Sequence, residues 1–330
     1  MRAAMFNRVF LSLMLGGFIL TGCAGMNVSA GTVSDGHIDP SFIKIVTPRV
    51  VDTSDQMLII KLSRQIADPH ITKTERARLL YERSFVYDKT GLSFLAQLGI
   101  MSAIQENLQF AEGYGYFGVM LAMDGKYLEA YDAFDAALEL EPTLSSIYSA
   151  RGIALYYGLR DQMAHEDFSR YYLEDRNDVF RIVWLYIIES KLHPEQAVPR
   201  LQERFRLLAD REDLWNVRML QVMLGLRSEA DFWEHVLDGA TEEQKTERLC
   251  EAYFYLGKYH QIKGEEERAN DYFRLAMMTN VTYYLEYHYA GKELSRKGGY
   301  HKAAPEDAPI APEGDPESAP GNGASAEKKS

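Results

Sequence analysis

Between residues 52 and 296 the chain alternates apolar and polar positions with a helical period. Apolar residues recur three and four apart, which places them on one stripe of an α-helix. No stretch shows the two-residue alternation of a half-buried strand. The helical stretches come in pairs separated by short breaks at Gly91, Gly125 and Gly264. Pro142 stands where a helix cannot continue. Asp55–Ala67 is expected to form a helix, with a capping box from Thr72 to Glu75 opening the next one.

Four windows align on one another, three of them at a period of 34 residues, beginning at Ala77, Ala111, Ser145 and, after a gap, Cys250. Position 8 of each window holds Ser84, Gly118, Gly152 and Gly257, and position 20 holds Ala96, Ala130, Ala164 and Ala269. Position 24 holds Ile100, Phe134, Phe168 and Phe273, and position 4 holds Leu80, Tyr114, Tyr148 and Tyr253. Small residues at two fixed positions let paired helices approach; large ones at the other two fill the space between neighbouring pairs. The pattern resembles the tetratricopeptide repeat, two helices per 34 residues. The expected fold is therefore all-α, helical hairpins stacked into a right-handed superhelix, with repeats near 77–110, 111–144, 145–178 and 250–283. Residues 179–249 are read as degenerate helices that continue the stack, among them Val179–Lys191, Glu195–Ala209, Arg211–Leu224 and Ser228–Leu237, followed by a helix start at Thr241 to Gln244.

The ends differ from this body. Arg2 and Arg8 precede an apolar run, Val9 to Leu20, that is too short to span a bilayer, and Leu20-Thr21-Gly22-Cys23 follows. That order resembles a lipoprotein signal peptide over 1–22, with cleavage before Cys23 and lipid on its sulfur and amino group. Ala24, not Asp, follows Cys23. By the same resemblance this implies the outer membrane and a periplasm-facing body. Residues 23–50 are expected to be the lipidated cysteine and a flexible tether, 51–300 the repeat domain, and 301–330 a disordered tail rich in Pro, Ala and Glu.

Composition narrows the chemistry. A net charge of −12, from 36 basic and 48 acidic residues, argues against nucleic-acid binding. Two cysteines cannot build a disulfide scaffold or a cysteine zinc site. Gly113, Gly115 and Gly118 match G-x-G-x-x-G, but Gly118 is position 8 of a repeat and no strand precedes it. The eight histidines are scattered, and Glu286 and His288, two apart, point away from each other on a helix. A hydrolase site in 177–249 would need a nucleophile–base pair or a metal spacing that this segment lacks. No metal and no cofactor is expected.

Five stretches carry a closer resemblance: LLYER at 79–83, YLEAYDAFDAALELEPT at 127–143, RGIALYYG at 151–158, WLY at 184–186 and FYLGKY at 254–259. On these, residues 52–296 resemble the NlpI family of tetratricopeptide-repeat lipoproteins of Gram-negative bacteria. The resemblance implies a homodimeric adaptor without chemistry of its own. It would bring a periplasmic C-terminal-processing protease to a murein endopeptidase, bind other peptidoglycan hydrolases and synthases, and so tune cell-wall growth and cell division. The alternative is a structural repeat lipoprotein of an outer-membrane assembly or secretion (pilotin-like) complex. Repeat positions 2, 5, 9 and 12 face the concave groove of such an array. They nominate Arg78, Tyr81, Phe85, Asp88, Glu112, Val119, Ser149, Ile153, Tyr156, Phe254, Lys258 and Gln261 as the partner-binding surface.

Overall fold

The computed structural model describes residues 36–296 except Arg49, Glu212 and Asp213. The expected signal peptide, Cys23 and the 301–330 segment lie outside the described residues. Among the described residues there are fourteen α-helices and no strand, so the all-α expectation holds.

The helices run as hairpins: α2 (Lys73–Lys89) with α3 (Ser93–Glu106), α4 (Ala111–Met123) with α5 (Tyr127–Leu140), α6 (Ser145–Tyr157) with α7 (Asp161–Glu174), α8 (Val179–Leu192) with α9 (Pro194–Phe205), α10 (Trp215–Met223) with α11 (Glu229–His235), and α12 (Glu242–Ile262) with α13 (Glu266–Met278). Helix α1 (Thr53–Ile66) precedes them and α14 (Leu285–Ser295) follows. Consecutive helices are packing neighbours from α1 to α9, in the α10–α11 pair and from α12 to α14. The capping boxes at Thr72–Glu75 and Thr241–Gln244 both form, each side chain bonding the other residue's amide. Helix α2 therefore starts at Lys73 and α12 at Glu242, as the two capping boxes predict and ahead of the repeat windows that open at Ala77 and Cys250.

Three hairpins close on the same contact. Gly118 faces the Phe134 ring, Gly152 the Phe168 ring and Gly257 the Phe273 ring, with no room for a Cβ in between. The alanines at position 20 are fully buried beside them. The first hairpin reverses the arrangement. Ser84 replaces the glycine, and Gly99 on the opposite helix makes room for its hydroxyl, which donates to the Leu80 carbonyl at 2.8 Å. The small residue has changed sides while the helix spacing is kept.

One turn recurs five times. The amides of Leu92, Lys126, Arg160, Leu226 and Glu265 donate to the carbonyls of Tyr87, Leu121, Leu155, Gln221 and His260, five residues back in each case. The residue before each has positive φ: Gly91, Gly125, Leu159, Gly225 and Gly264. This is the Schellman closure of a helix, which glycine adopts without a Cβ penalty and Leu159 adopts at a cost. The turn at Gly225 marks α10–α11 as a hairpin of the same design.

The degenerate segment keeps the period at α8 and loses it at α10 and α12, which start at Trp215 and Glu242. Helices α4, α6 and α8 begin at Ala111, Ser145 and Val179, 34 residues apart. What changes is the turn. Only His193 separates α8 from α9, and Pro194 opens α9, so α9 starts one residue early. Ala197 and Leu201, both buried, take the places that Ala164 and Phe168 hold in α7.

The tether expected over 23–50 does not persist to residue 50. Pro40–Phe42 forms a 3-10 turn, Phe42 is buried, and 37–47 lie against the last hairpins. The backbone there is bonded to the body: the Ile38 amide donates to Asp271, and the Lys44 amide to the Tyr253 hydroxyl at 2.8 Å.

Gly257→Ala should push the Phe273 ring and lower stability by about 1–3 kcal/mol. A urea unfolding midpoint unchanged from wild type would refute the close-contact account of position 8.

Candidate partner-binding surface

The groove expected along the first helices of the hairpins is filled in part by the chain itself. Helix α14 crosses the concave side and buries Tyr289, Ala290 and Glu293 there. Glu293 accepts from Lys258 Nζ at 2.7 Å and from Gln261 Nε2 at 3.0 Å. Lys258 Nζ also donates to the Tyr156 hydroxyl at 2.9 Å. Tyr289 stacks on Tyr157 with ring centres 4.2 Å apart. At the other side Lys292 reaches the turn between α4 and α5, donating to the Ala122 carbonyl at 3.0 Å and the Tyr127 hydroxyl at 2.7 Å.

Both charges of the Lys258–Glu293 pair have zero side-chain exposure. Burial alone would raise the Glu293 carboxyl, but Lys258 and Arg296 outweigh it and hold the group at about 2. Burial pushes the Lys258 ammonium down, and Glu293 pulls it back. A second buried pair, Lys191 with Asp161 at 2.7 Å, lies beside the same tyrosine. Lys191 and Lys258 stand 4.4 and 4.9 Å from the Tyr156 ring centre, two ammonium groups on one aromatic ring.

This corrects the twelve-residue groove. Tyr156, Phe254, Lys258, Gln261, Ile153, Val119 and Asp88 are buried and unavailable to a partner as the chain stands. Phe254 packs between Trp184 and Phe273, and Asp88 accepts from the Tyr116 hydroxyl at 2.8 Å and from Ser93 at 3.2 Å. Ser149 is half-buried. Arg78, Tyr81, Phe85 and Glu112 remain as a continuous, accessible group. Arg78 pairs with Glu112 at 3.3 Å, Tyr81 packs edge-on against Phe110 and Tyr116, and Phe85 is 40% exposed over Tyr116. The Tyr81 hydroxyl is pushed up to about 12, first by burial and then by the Glu112 carboxylate.

A second open surface was not foreseen. Helix α3 exposes Phe94, Leu95, Leu98 and Met101, with Phe94 71% exposed, and α1 exposes Met57, Leu58 and Ile60. Helix α1 buries only Leu62 and Asp55. The signal lay in the sequence: α3 is apolar at Phe94, Leu95, Leu98 and Met101 as well as at the core positions Ala96, Ile100 and Ala103. A helix apolar on more than one side packs against more than one neighbour.

The remaining candidates have structural roles. Gly113, Gly115 and Gly118 lie inside α4 and take the side chains of Phe110, Ile147 and Phe134. Cys250 is buried, and burial pushes its thiol well above the ordinary range. Among the described residues no group of three or more His, Cys, Asp or Glu is placed to hold a metal ion. Nor is any helix among them long and apolar enough to cross a membrane.

Removing one partner of a fully buried pair strands the other charge. Glu293→Ala should cost about 3–5 kcal/mol, while the apolar double replacement Lys258→Met with Glu293→Leu should recover most of that. Equal losses in the two variants, read by urea unfolding, would refute the pair's role. Because the Glu293 carboxyl is depressed, its contribution is present above pH 4.5 and lost as pH falls from there toward about 2. Across that window the double variant should lose less stability than wild type.

No protein-family model matches the chain.

Proposed function

We propose that this chain is a non-catalytic, lipid-anchored adaptor of the outer membrane. Cys23 carries the lipid, the body faces the periplasm, and the protein brings a C-terminal-processing protease together with peptidoglycan hydrolases and synthases. In this way it sets murein endopeptidase levels during cell-wall growth and division. Support comes from the resemblance of residues 52–296 to the NlpI family and from one structural observation. The array presents two separate accessible surfaces, the Arg78–Tyr81–Phe85–Glu112 group and the apolar row on α1 and α3. An adaptor needs at least two such surfaces. Aromatic residues and arginine carry much of the energy at protein interfaces, which suits the first group to a partner. The second group, apolar and uncharged, suits a copy of the same chain, since homodimer interfaces are the more apolar class.

The adaptor role is tested by capture from a membrane extract of the native host, with the mature chain as bait and mass spectrometry as readout. A periplasmic protease recovered with murein hydrolases, and several-fold less of either on a Phe85→Asp bait, is the expected result. Assembly or secretion subunits in their place would overturn the adaptor role and leave the fold intact.

For the dimer, sedimentation at micromolar concentration should give twice the chain mass, and Leu98→Asp should give the monomer. A monomeric wild type would overturn this assignment.

A further inference from the structure

Residues 37–47 lie in a corner made by α11, α12 and α13. His37 Nδ1 and the Ile38 amide both reach the Asp271 carboxylate, at 2.8 and 3.2 Å. Phe42 is buried, with the Arg268 guanidinium 6.0 Å from its ring centre. The Lys44 amide donates to the Tyr253 hydroxyl, and the Thr47 carbonyl accepts from Thr246 Oγ1 at 3.3 Å. The wall behind is rigid: Trp233 stacks on Tyr253 and on Tyr272, and its ring N–H donates to the Tyr272 hydroxyl at 3.0 Å. Gly36 sits beside Glu267 in the first turn of α13. A pull on the chain from its N-terminal side is therefore borne by the last hairpin, not by α1.

We infer that this segment is a clamp that fixes where the body hangs from its anchor and how far it reaches. The inference rests on the lipidation of Cys23 proposed above. With the clamp closed, thirteen peptide units separate Cys23 from Gly36. They span at most about 45 Å when extended and about 20 Å as a coil. With the clamp open, free chain runs to Asp52, the cap of α1, and its limit becomes about 100 Å. Closure thus roughly halves the reach and keeps the α12–α13 hairpin nearest the lipid. Glu265, Glu266 and Glu267 open α13 at that point. Their charge disfavours adsorption to an anionic surface, so the bonds of the clamp, and not attraction to lipid, hold this orientation.

The test uses the full lipidated protein in vesicles of phosphatidylethanolamine and phosphatidylglycerol that carry an acceptor lipid. A donor dye is placed at Glu267→Cys on α13 or, for comparison, at Leu128→Cys on α5, which is 65% exposed. Cys250 is buried and takes no dye. Energy transfer to the membrane should be stronger from the α13 position than from the α5 position. Phe42→Asp should lower transfer from α13 by two-fold or more. Asp271→Ala, which removes two clamp bonds without touching the Phe42 pocket, should shift it the same way by less. Equal transfer from the two positions in wild type, or no change in either variant, would overturn the clamp. Failure of the protein to float with vesicles, with no acyl mass on Cys23, would instead remove the anchor and the clamp's role with it. Protection of the Ile38 and Lys44 amides from hydrogen exchange would still report the docked segment in that case.

Discussion

The Lys258 ammonium is surrounded by the Tyr156 hydroxyl, Gln261 and Glu293, with no exposure to water. A charge in that position is tolerated only because its partners are supplied from three helices at once. Helix α12 contributes Lys258 and Gln261, α6 contributes Tyr156, and α14 contributes Glu293. Remove α14 and the ammonium faces an empty concave surface. Insert α14 and the surface becomes core. The same constraint orders what lies behind it. Lys191 and Asp161 pair beside the same Tyr156 ring, so one tyrosine neighbours two cations that each hold their own carboxylate. A buried ion pair adds little stability over a well-packed apolar pair, but it punishes misregistration heavily. Its effect here is to specify a single seat for the last helix.

Stacked hairpins leave a groove by construction, because the first helix of each pair lines the inner face. This chain uses part of its groove on itself. One continuous core runs from α3 to α14, and only a small separate cluster, Ala77, Leu80, Ala103 and Phe110, lies beneath α2. The Arg78, Tyr81 and Phe85 side chains of α2 stay accessible. What packs on each groove position sets its exposure: Tyr156 is sealed where Lys258 of α12 and Glu293 of α14 close over it, Phe254 between Trp184 and Phe273, and Asp88 by Tyr116 and Ser93, while Tyr81 stays half-buried.

The hairpins were legible wherever the small and large residues of the repeat sit at their consensus positions. Gly118 against Phe134 and Gly152 against Phe168 are local pairs, and local pairs leave a fixed spacing in the sequence. Residues 179–205 hid the same architecture because a one-residue shortening at His193 moved Ala197 and Leu201 off their expected positions while the helix start at Val179 stayed in phase. Gly225 was readable in hindsight, since it repeats the turn of Gly91, Gly125 and Gly264. The groove was misjudged for a different reason. Lys258 and Glu293, or Tyr157 and Tyr289, are joined only by the superhelical path, and no spacing rule connects them. Long-range closure of this kind is a property of the assembled array. The clamp was hidden likewise: Gly, Ser and Asp around Phe42 look like linker, and one buried ring with a few backbone bonds is enough to dock them.

An adaptor works by converting two searches in space into one search along a surface, and the gain depends on geometry. Effective concentration is highest when a tether just spans its two ends and falls as the tether lengthens beyond that. A docked segment at 37–47 removes slack that would otherwise be added to the free chain. In the proposed role, the last hairpin and the clamp would determine the standoff from the membrane. The accessible residues of α1–α3 and of the α2–α4 face would determine what is held there. The two tasks fall on different hairpins, with α14 and its buried pair between them. Because Lys292 holds the α4–α5 turn while Glu293 holds α12, one helix ties these two parts of the array together, and in the proposed role it would fix the angle between the anchored end and the binding end. Rigidity at that joint matters more for such a protein than any single contact with a partner. A loose joint would spread the bound partners over the whole length of the tether and cancel the gain that anchoring provides.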